Sequence, residues 1–520
     1  MKKMNNIFYF LLVFALGLFS SCEMDEDPKF PSADNLYSNV EGANNVLNSC
    51  YSTLAGFNYY GADFLHLTQL SSGLFTTGKD ANLTGIVSLE TSPSLNYVEN
   101  LWRAGFQTIG RTNDVIDNLE KVTLEDDAEQ NNILGQAYFL RGLTYFNLVR
   151  IYGGVPLINS IVNTETLNQP RATEEAVYEQ VIRDLEAAAG LLKEPASQTP
   201  GRPANYAANM LLAKVYMTLA GGQTASETEY WQKAYDEAIK VYGQYSLVDN
   251  YRDLWFAETG NNTVESVFEV QGNVENTLRL HQLFTPSNGN AGQSVWGRIK
   301  PNVECYDLHA ARYPTDPRLE STFLIEWIKY KNGNTQVINT YPDFTRRRGS
   351  KDKSYPFLFK YYIKDHTLLN YNTNQNYIAL RYGDLLLMLA EIENELNGPD
   401  NAYQYVNEVM ARARQSGETE SSEPADWSGM SQEQFRDSIM YEYRYELLGE
   451  GHAWFNTRRR GYDYFKEHVV DVHNNTEIYD FSIQRDVLLP DNPRNMLMPV
   501  PLSEITANPN INAEDQNPGY

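Results

Sequence analysis

The sequence predicts a mainly α-helical fold of antiparallel helix pairs with a large irregular region and minor β structure. Three observations carry this. Apolar and small residues recur at three- and four-residue spacing over long stretches. Gly-Gly and Gly-Pro steps close those stretches. Between about Tyr245 and Tyr371 the helical spacing fades into Gly, Asn, Thr, Pro and aromatic residues, with short β-prone runs such as Val264–Val270.

Val40–Leu54 and Leu101–Leu119 carry the first helical stripes. Over Asn131–Tyr152, Leu134, Tyr138, Tyr145, Leu148 and Tyr152 fall on or near one face, and Gly135, Ala137 and Gly142 allow a neighbouring helix close approach. Gly153, Gly154 and Pro156 end that helix. A further helix is expected from near Pro203, a favourable first-turn residue, through Leu211 and Leu219 to Gly221-Gly222. Trp231, Ala234, Ala238 and Tyr242 mark its return partner. Another pair is expected over Tyr377–Leu396 and Tyr403–Arg414, broken at Gly398-Pro399, and a last helix from about Ser431. Pairs of roughly this length, with small and aromatic residues at their contacts, are tetratricopeptide-like. Their irregular spacing makes the chain a decorated scaffold. The stretch 58–97 reads as irregular, like 245–371, and long irregular segments in compact proteins tend to be functional surfaces.

Composition removes several functions. The chain has 520 residues and a formal net charge of −25, unsuited to neutralising phosphates, so no nucleic-acid partner is expected. Three Cys cannot form a disulfide scaffold or a four-thiolate zinc site. Cys50 and Cys305 read as free buried thiols. There is no His-Glu-x-x-His, no Gly-x-Ser-x-Gly and no phosphate-cradling glycine loop. Ser350-Lys-Asp-Lys353 lacks the companions that would make Ser-x-x-Lys catalytic, and Glu391 and Glu393 point to different helix faces. No enzyme activity, cofactor or metal is expected. Asp80-Ala-Asn82-Leu-Thr84-Gly85 imitates the start of a calcium loop, but Thr91 stands where that loop needs Glu.

The N-terminus predicts the compartment. Lys2 and Lys3 precede an apolar run from Ile7 to Phe19, then Ser20, Ser21 and Cys22, the layout of a secretory signal. Cys22 sits where a bacterial lipoprotein carries its acyl chains, and Glu23, Asp25, Glu26 and Asp27 follow. Residues 1–21 read as the signal, 22–36 as an acidic tether and 37–520 as one domain. Within it, helical repeats are expected at about 37–57, 98–243 and 376–460, and ligand-facing loops at about 58–97 and 245–371.

Four segments resemble the SusD/RagB family of Bacteroidetes surface lipoproteins. They are Gly135–Arg141 continuing through Leu148-Val-Arg-Ile-Tyr-Gly-Gly-Val-Pro-Leu157; Ile378–Glu391 with the Asn407–Arg414 helix; Tyr445–Gly451 with Trp454-Phe455; and Met498–Ile505 ending in Asn517-Pro518-Gly519-Tyr520. His452 and Asn456 depart from the family's more usual Arg and Asp. The resemblance implies four tetratricopeptide-like units and an irregular ligand-facing part. It also implies a lipid-anchored, surface-exposed place in the outer membrane, and a SusC-like TonB-dependent transporter as partner. The expected ligand is a glycan or, in some relatives, a peptide. A glycoside hydrolase on a helical scaffold and a protein-only adaptor are weaker alternatives.

Site candidates follow from sugar chemistry. A pyranose offers an apolar C–H face to a flat aromatic ring and hydroxyls to Asn, Asp and Arg. Trp296 lies in a Gly/Asn/Ser-rich stretch with little capacity to bury it, and Arg298 is close enough to bond hydroxyls. Tyr59 and Tyr60 beyond Gly56, Phe75, Trp327, and the loop residues Asp80 and Asn82 complete the set. Trp102, Tyr138 and Tyr145 read as core, and Arg141, Arg381 and Glu391 as structural ion-pair members.

Overall fold

The computed structural model describes residues 33–77, 81–221, 227–272, 278–287, 289, 295–339, 356–362, 374–475 and 488–520. The signal, Cys22 and the acidic run, like Asp80 and Ser350–Lys353, lie outside them. No described helix is long and apolar enough to cross a membrane.

The helices that organise the molecule are α1 (Val40–Leu54), α2 (Asp63–Leu70), α3 (Ala81–Val87), α4 (Asn96–Leu119), α5 (Asp127–Tyr152), α6 (Glu174–Leu191), α7 (Asn205–Ala220), α8 (Glu227–Val241), α9 (Leu280–Phe284), α10 (Tyr382–Asn397), α11 (Pro399–Gln415), α12 (Gln432–Leu447) and α13 (Ala453–Arg458). They pack in succession: α1 on α4, α4 on α5, α5 on α6, α6 on α7, α7 on α8, then α8 on α10 and α10 on both α11 and α12. This is the tetratricopeptide-like scaffold the spacing predicts, with long insertions after α1 and α8.

Local chemistry sets the helix ends. Asp126 caps α5 by accepting from the backbone N–H groups of Ala128 and Glu129 at 3.0 Å. Ser431 and Gln434 form a capping box on α12. Gly398 (φ +85°) ends α10 and starts α11 in one step, and Pro399 takes the first helical position. Gly135 and Gly142 on α5 face Leu191, Leu192 and Leu185 at about the closest distance a Cβ allows, so α6 packs tightly there.

Arg141 clamps that interface. Its Nε and Nη2 bind both oxygens of Asp184 at 2.9 and 2.7 Å, and Nη1 donates to Asn113 Oδ1 at 2.9 Å. A larger buried network ties the insertions to the scaffold. Arg381 meets Glu265 (2.8 Å), Glu446 (2.7 Å) and Glu450 (2.7 Å). Arg318 meets Asp316 (2.8 Å), Glu442 (2.7 Å) and Glu446 (2.9 Å). Arg412 joins Glu265 (2.9 Å) and Glu446, and Lys360 joins Glu450 (2.6 Å). Glu391 pairs with Arg459. The structural roles expected for Arg141, Arg381 and Glu391 are those found. Trp102 and Tyr145 are core, Tyr138 is half-buried, Cys50 is buried and Cys305 is half-buried.

Three expectations need correction. Tyr377–Leu396 is not one helix: Tyr377–Arg381 is a wholly buried strand, β6, antiparallel to β2 (Ser266–Val270). The β-prone run near Val264 takes its ladder partner from a Leu/Ala-rich stretch, so pairing overrides helical propensity. Pro203 precedes the helix, which begins at Asn205. Within 58–97, α2 is a helix with every residue buried, and α3 and the start of α4 add more, so this stretch is largely scaffold.

Candidate functional site

The clearest surface-facing aromatic of the irregular region is set by a two-residue alternation. From Val295 to Ile299 the burial alternates in and out: Val295 and Ile299 are in the core, with Gly297 between them, while Trp296 and Arg298 are half-exposed on the opposite side. The segment is fastened to the end of α9 by Trp296 N–H to Gln282 O (2.8 Å), Gly297 N–H to the same oxygen (3.3 Å) and Ile299 N–H to Leu283 O (3.2 Å).

Gly297 fixes the turn between the two outward residues. Its φ is +53°, a conformation side-chain-bearing residues rarely adopt. A Cβ there would also meet Thr285 O at 3.0 Å and Phe357 Cε1 at 3.2 Å. The Arg298 guanidinium lies 4.5 Å from the Trp296 ring centroid, a cation–π contact that orients both groups. Phe57 meets the same indole edge-on, with centroids 6.2 Å apart.

Two strands bring a second segment alongside. β1 (Phe75–Thr76) is antiparallel to β3 (Lys300–Pro301), with Thr76 opposite Lys300. The chain leading to Asn82 and the chain leading back to Trp296 therefore leave the ladder at the same end. Asn82 is exposed at the start of α3. Below the Trp296 loop sits a satellite core that includes Leu324, Trp327, Ile338 and Phe357. Trp327 stands opposite Ile338 in the hairpin of β4 (Glu326–Lys331) and β5 (Asn334–Asn339), its ring 5.9 Å from Phe357. Phe357 is the ring a Gly297 side chain would strike, so this core supports the loop from beneath.

The structure thus separates the candidates. Trp296 and Arg298 are together on one face, and Asn82 is exposed on the neighbouring segment. Trp327 (3% exposed) and Phe75 (1%) are core and present no face to a ligand. Tyr59 and Tyr60 are also core. After α1 the chain makes a tight π turn, with Tyr59 in a non-helical conformation (φ −125°, ψ −123°). That turn sends both tyrosines inward, where Asn147 Nδ2 donates to their hydroxyls at 3.0 and 2.7 Å. Tyr60 stacks on Tyr377 at 4.8 Å, and burial pushes its phenol up to about 12. The same turn leaves Phe57 half-exposed and Asn58 exposed. Phe57, which the sequence did not single out, joins Trp296 on this face, and its adjacency to Gly56 was the only available signal.

Among the described residues no three His, Cys, Asp or Glu side chains come together as a metal site. The face offers the Trp296 and Phe57 rings and the Arg298 guanidinium, groups suited to binding a neutral polyhydroxy compound.

Residues 37–217 match a family described as "Starch-binding associating with outer membrane", and residues 218–520 match the one described as "SusD family". Over 565 aligned residues, covering all of both chains, the protein is 26% identical to the SusD-like protein P25 of Formosa agariphila. It is 28% identical over 199 residues to a SusD-like protein of Bacteroides ovatus, 36% of each chain. A SusD homologue of Bacteroides thetaiotaomicron superposes with a TM-score of 0.78 at 23% identity, over 94% of this chain and 98% of that one. A laminarin-binding SusD-like protein superposes at 0.71 and 24%, over 93% and 100%. With matches that run from residue 37 to the last residue, and helix pairs arranged as in these solved structures, the chain belongs to the SusD family.

Proposed function

We propose that the protein is a non-catalytic glycan receptor of the outer membrane. It is tethered by lipid on Cys22, exposed at the cell surface, and passes captured oligosaccharide to a SusC-like TonB-dependent transporter. The single observation carrying the glycan reading is the outward pairing of Trp296 with Arg298 on a segment whose alternate residues are locked in the core. Trp296 stacks on a pyranose face, and Arg298, with Asn82 alongside, bonds the hydroxyl rim. Phe57 widens the apolar floor. Asp80 belongs to the same segment as Asn82 and is proposed as a further hydroxyl acceptor. Laminarin binding by one structural neighbour and the starch-binding description of the matched family support a sugar as the ligand.

The test is calorimetric titration with laminari- and malto-oligosaccharides, with neutral oligopeptides alongside. Saturable binding of one oligosaccharide series, with no new reducing ends on prolonged incubation, is expected. Binding of peptide alone moves the protein to the peptide-capturing branch, and release of reducing ends refutes the non-catalytic reading. Membrane fractionation of a Cys22→Ser variant checks the anchor: the protein should leave the outer-membrane fraction.

A further inference from the structure

A cleft of about 530 Å³ opens between the C-terminal end of α5, the start of α6, the end of α7 and α13. Its walls are part apolar, with Tyr178, Leu219 and Phe455 among them. Three arginines also line it, Arg150, Arg458 and Arg459, and the first two differ from Arg459 and the arginines of the core. Arg141, Arg318, Arg381, Arg412 and Arg459 each meet a carboxylate. Among the described residues, Arg150 and Arg458 meet none.

Part of their bonding is local. Arg150 donates through Nε to Phe146 O (3.2 Å) and through Nη2 to Asn147 Oδ1 (2.7 Å), and its guanidinium stacks on the rings of Phe146 (3.7 Å) and Phe455 (3.9 Å). Arg458 donates through Nη1 to Arg150 O (2.7 Å), capping a carbonyl in the last turn of α5, and lies over Trp454 at 4.0 Å. A guanidinium has five N–H donors, so donors remain on both residues. Arg458 Nε is buried with no partner. Burial pulls both guanidiniums down to about 10, so both keep their charge at neutral pH. Glu174, Glu175 and Glu179 also line the cleft but are exposed at its rim, and none is within ion-pair distance of either arginine.

We propose that this cleft is a binding site for a small carboxylate, with Arg150 and Arg458 as its cationic wall and Tyr178, Leu219 and Phe455 as its apolar one. Planar carboxylate is the anion that a guanidinium fork matches best, and the volume suits one sugar- or amino-acid-sized group. The carboxylate can be that of a uronic acid or the free end of a peptide chain. The site is independent of the Trp296 face and stands or falls separately from the glycan reading.

The experiment is calorimetry on the full chain with D-glucuronate, N-acetylglycine and, as the neutral counterpart, D-glucose. One or both carboxylates should bind at about 1 mM or tighter, with Arg458→Gln weakening them by about tenfold or more. Glucuronate alone marks an acidic sugar as the source and N-acetylglycine alone a chain terminus; either supports the site. Leu219→Glu, at a half-exposed position of the same cleft, supplies an internal carboxylate and should abolish binding while circular dichroism stays native. Failure of both carboxylates to bind, binding equal to that of glucose, or binding unchanged in Leu219→Glu overturns the proposal.

Discussion

Trp296→Ala separates a ligand platform from a loop-capping tryptophan. The ring is half-exposed, touched edge-on by Phe57 and overlaid by Arg298, so much of its stacking surface is already partly desolvated. Base–aromatic stacks, taken as an analogue of the sugar–indole stack, are worth about 1–3 kcal/mol each. Removing the ring also frees Arg298 from a cation–π contact of about 0.5–1 kcal/mol, which loosens the group proposed to bond hydroxyls. The stacking loss alone corresponds to roughly a fivefold to 150-fold rise in Kd; the cation–π contact is already present without ligand and does not add to it. The assay is calorimetric titration of wild type and variant with the best-binding oligosaccharide, with circular dichroism to check the fold. A folded variant with unchanged affinity removes Trp296 from the site and with it the observation on which the glycan reading rests.

Trp327→Ala, in the satellite core, should cost about 3–5 kcal/mol of stability in urea melts yet weaken glycan binding less than Trp296→Ala. Gly297→Ala forces a residue at φ +53° against Thr285 O and Phe357; about 1–2 kcal/mol of strain should appear in the same melts, with weaker oligosaccharide binding from the displaced Trp296. Glu446→Ala strips the shared carboxylate from Arg318, Arg381 and Arg412 and should cost about 3–5 kcal/mol. Burial alone would push Glu446 up, but Arg412, Arg381 and Arg318 reverse this and hold it well below the usual carboxylate range. Its stabilisation is therefore present above the unfolded pKa of about 4.3 and is lost as pH falls toward the folded value. Denaturation midpoints measured from pH 7 down to pH 3 should fall less steeply in Glu446→Ala than in wild type.

The helix pairs were legible because their spacing is local. Gly398-Pro399 and the Ser431 cap announce boundaries through residues a few positions apart. The strand at Tyr377–Arg381 was not legible: its backbone partner lies more than a hundred residues away, and Leu and Ala there read as helix. Tyr59 and Tyr60 were misplaced for the same reason. The turn sends them inward, and the partner that satisfies their hydroxyls there is Asn147, 88 and 87 residues along the chain. Trp296 and Arg298 stood out because the Gly/Asn/Ser-rich residues just before them offer little apolar surface to bury an indole, a signal that is local in the sequence. The pairing of Arg150 with Arg458 across 308 residues left no trace in the sequence.

The charge distribution joins these observations. A chain of net −25 has carboxylates to spare, and its core uses them: the buried cations of the central network are met by Asp316, Glu265, Glu442, Glu446 and Glu450. Burying a cation without such a partner is costly, and hydrogen bonds to carbonyls and contacts with aromatic faces offset only part of that cost. Arg150 and Arg458, half-exposed in their cleft, meet no carboxylate among the described residues, and the proposed anion answers to that difference from the core. The Trp296 face shows the opposite economy. It carries aromatic surface and one guanidinium stacked on it, a combination that suits a neutral sugar.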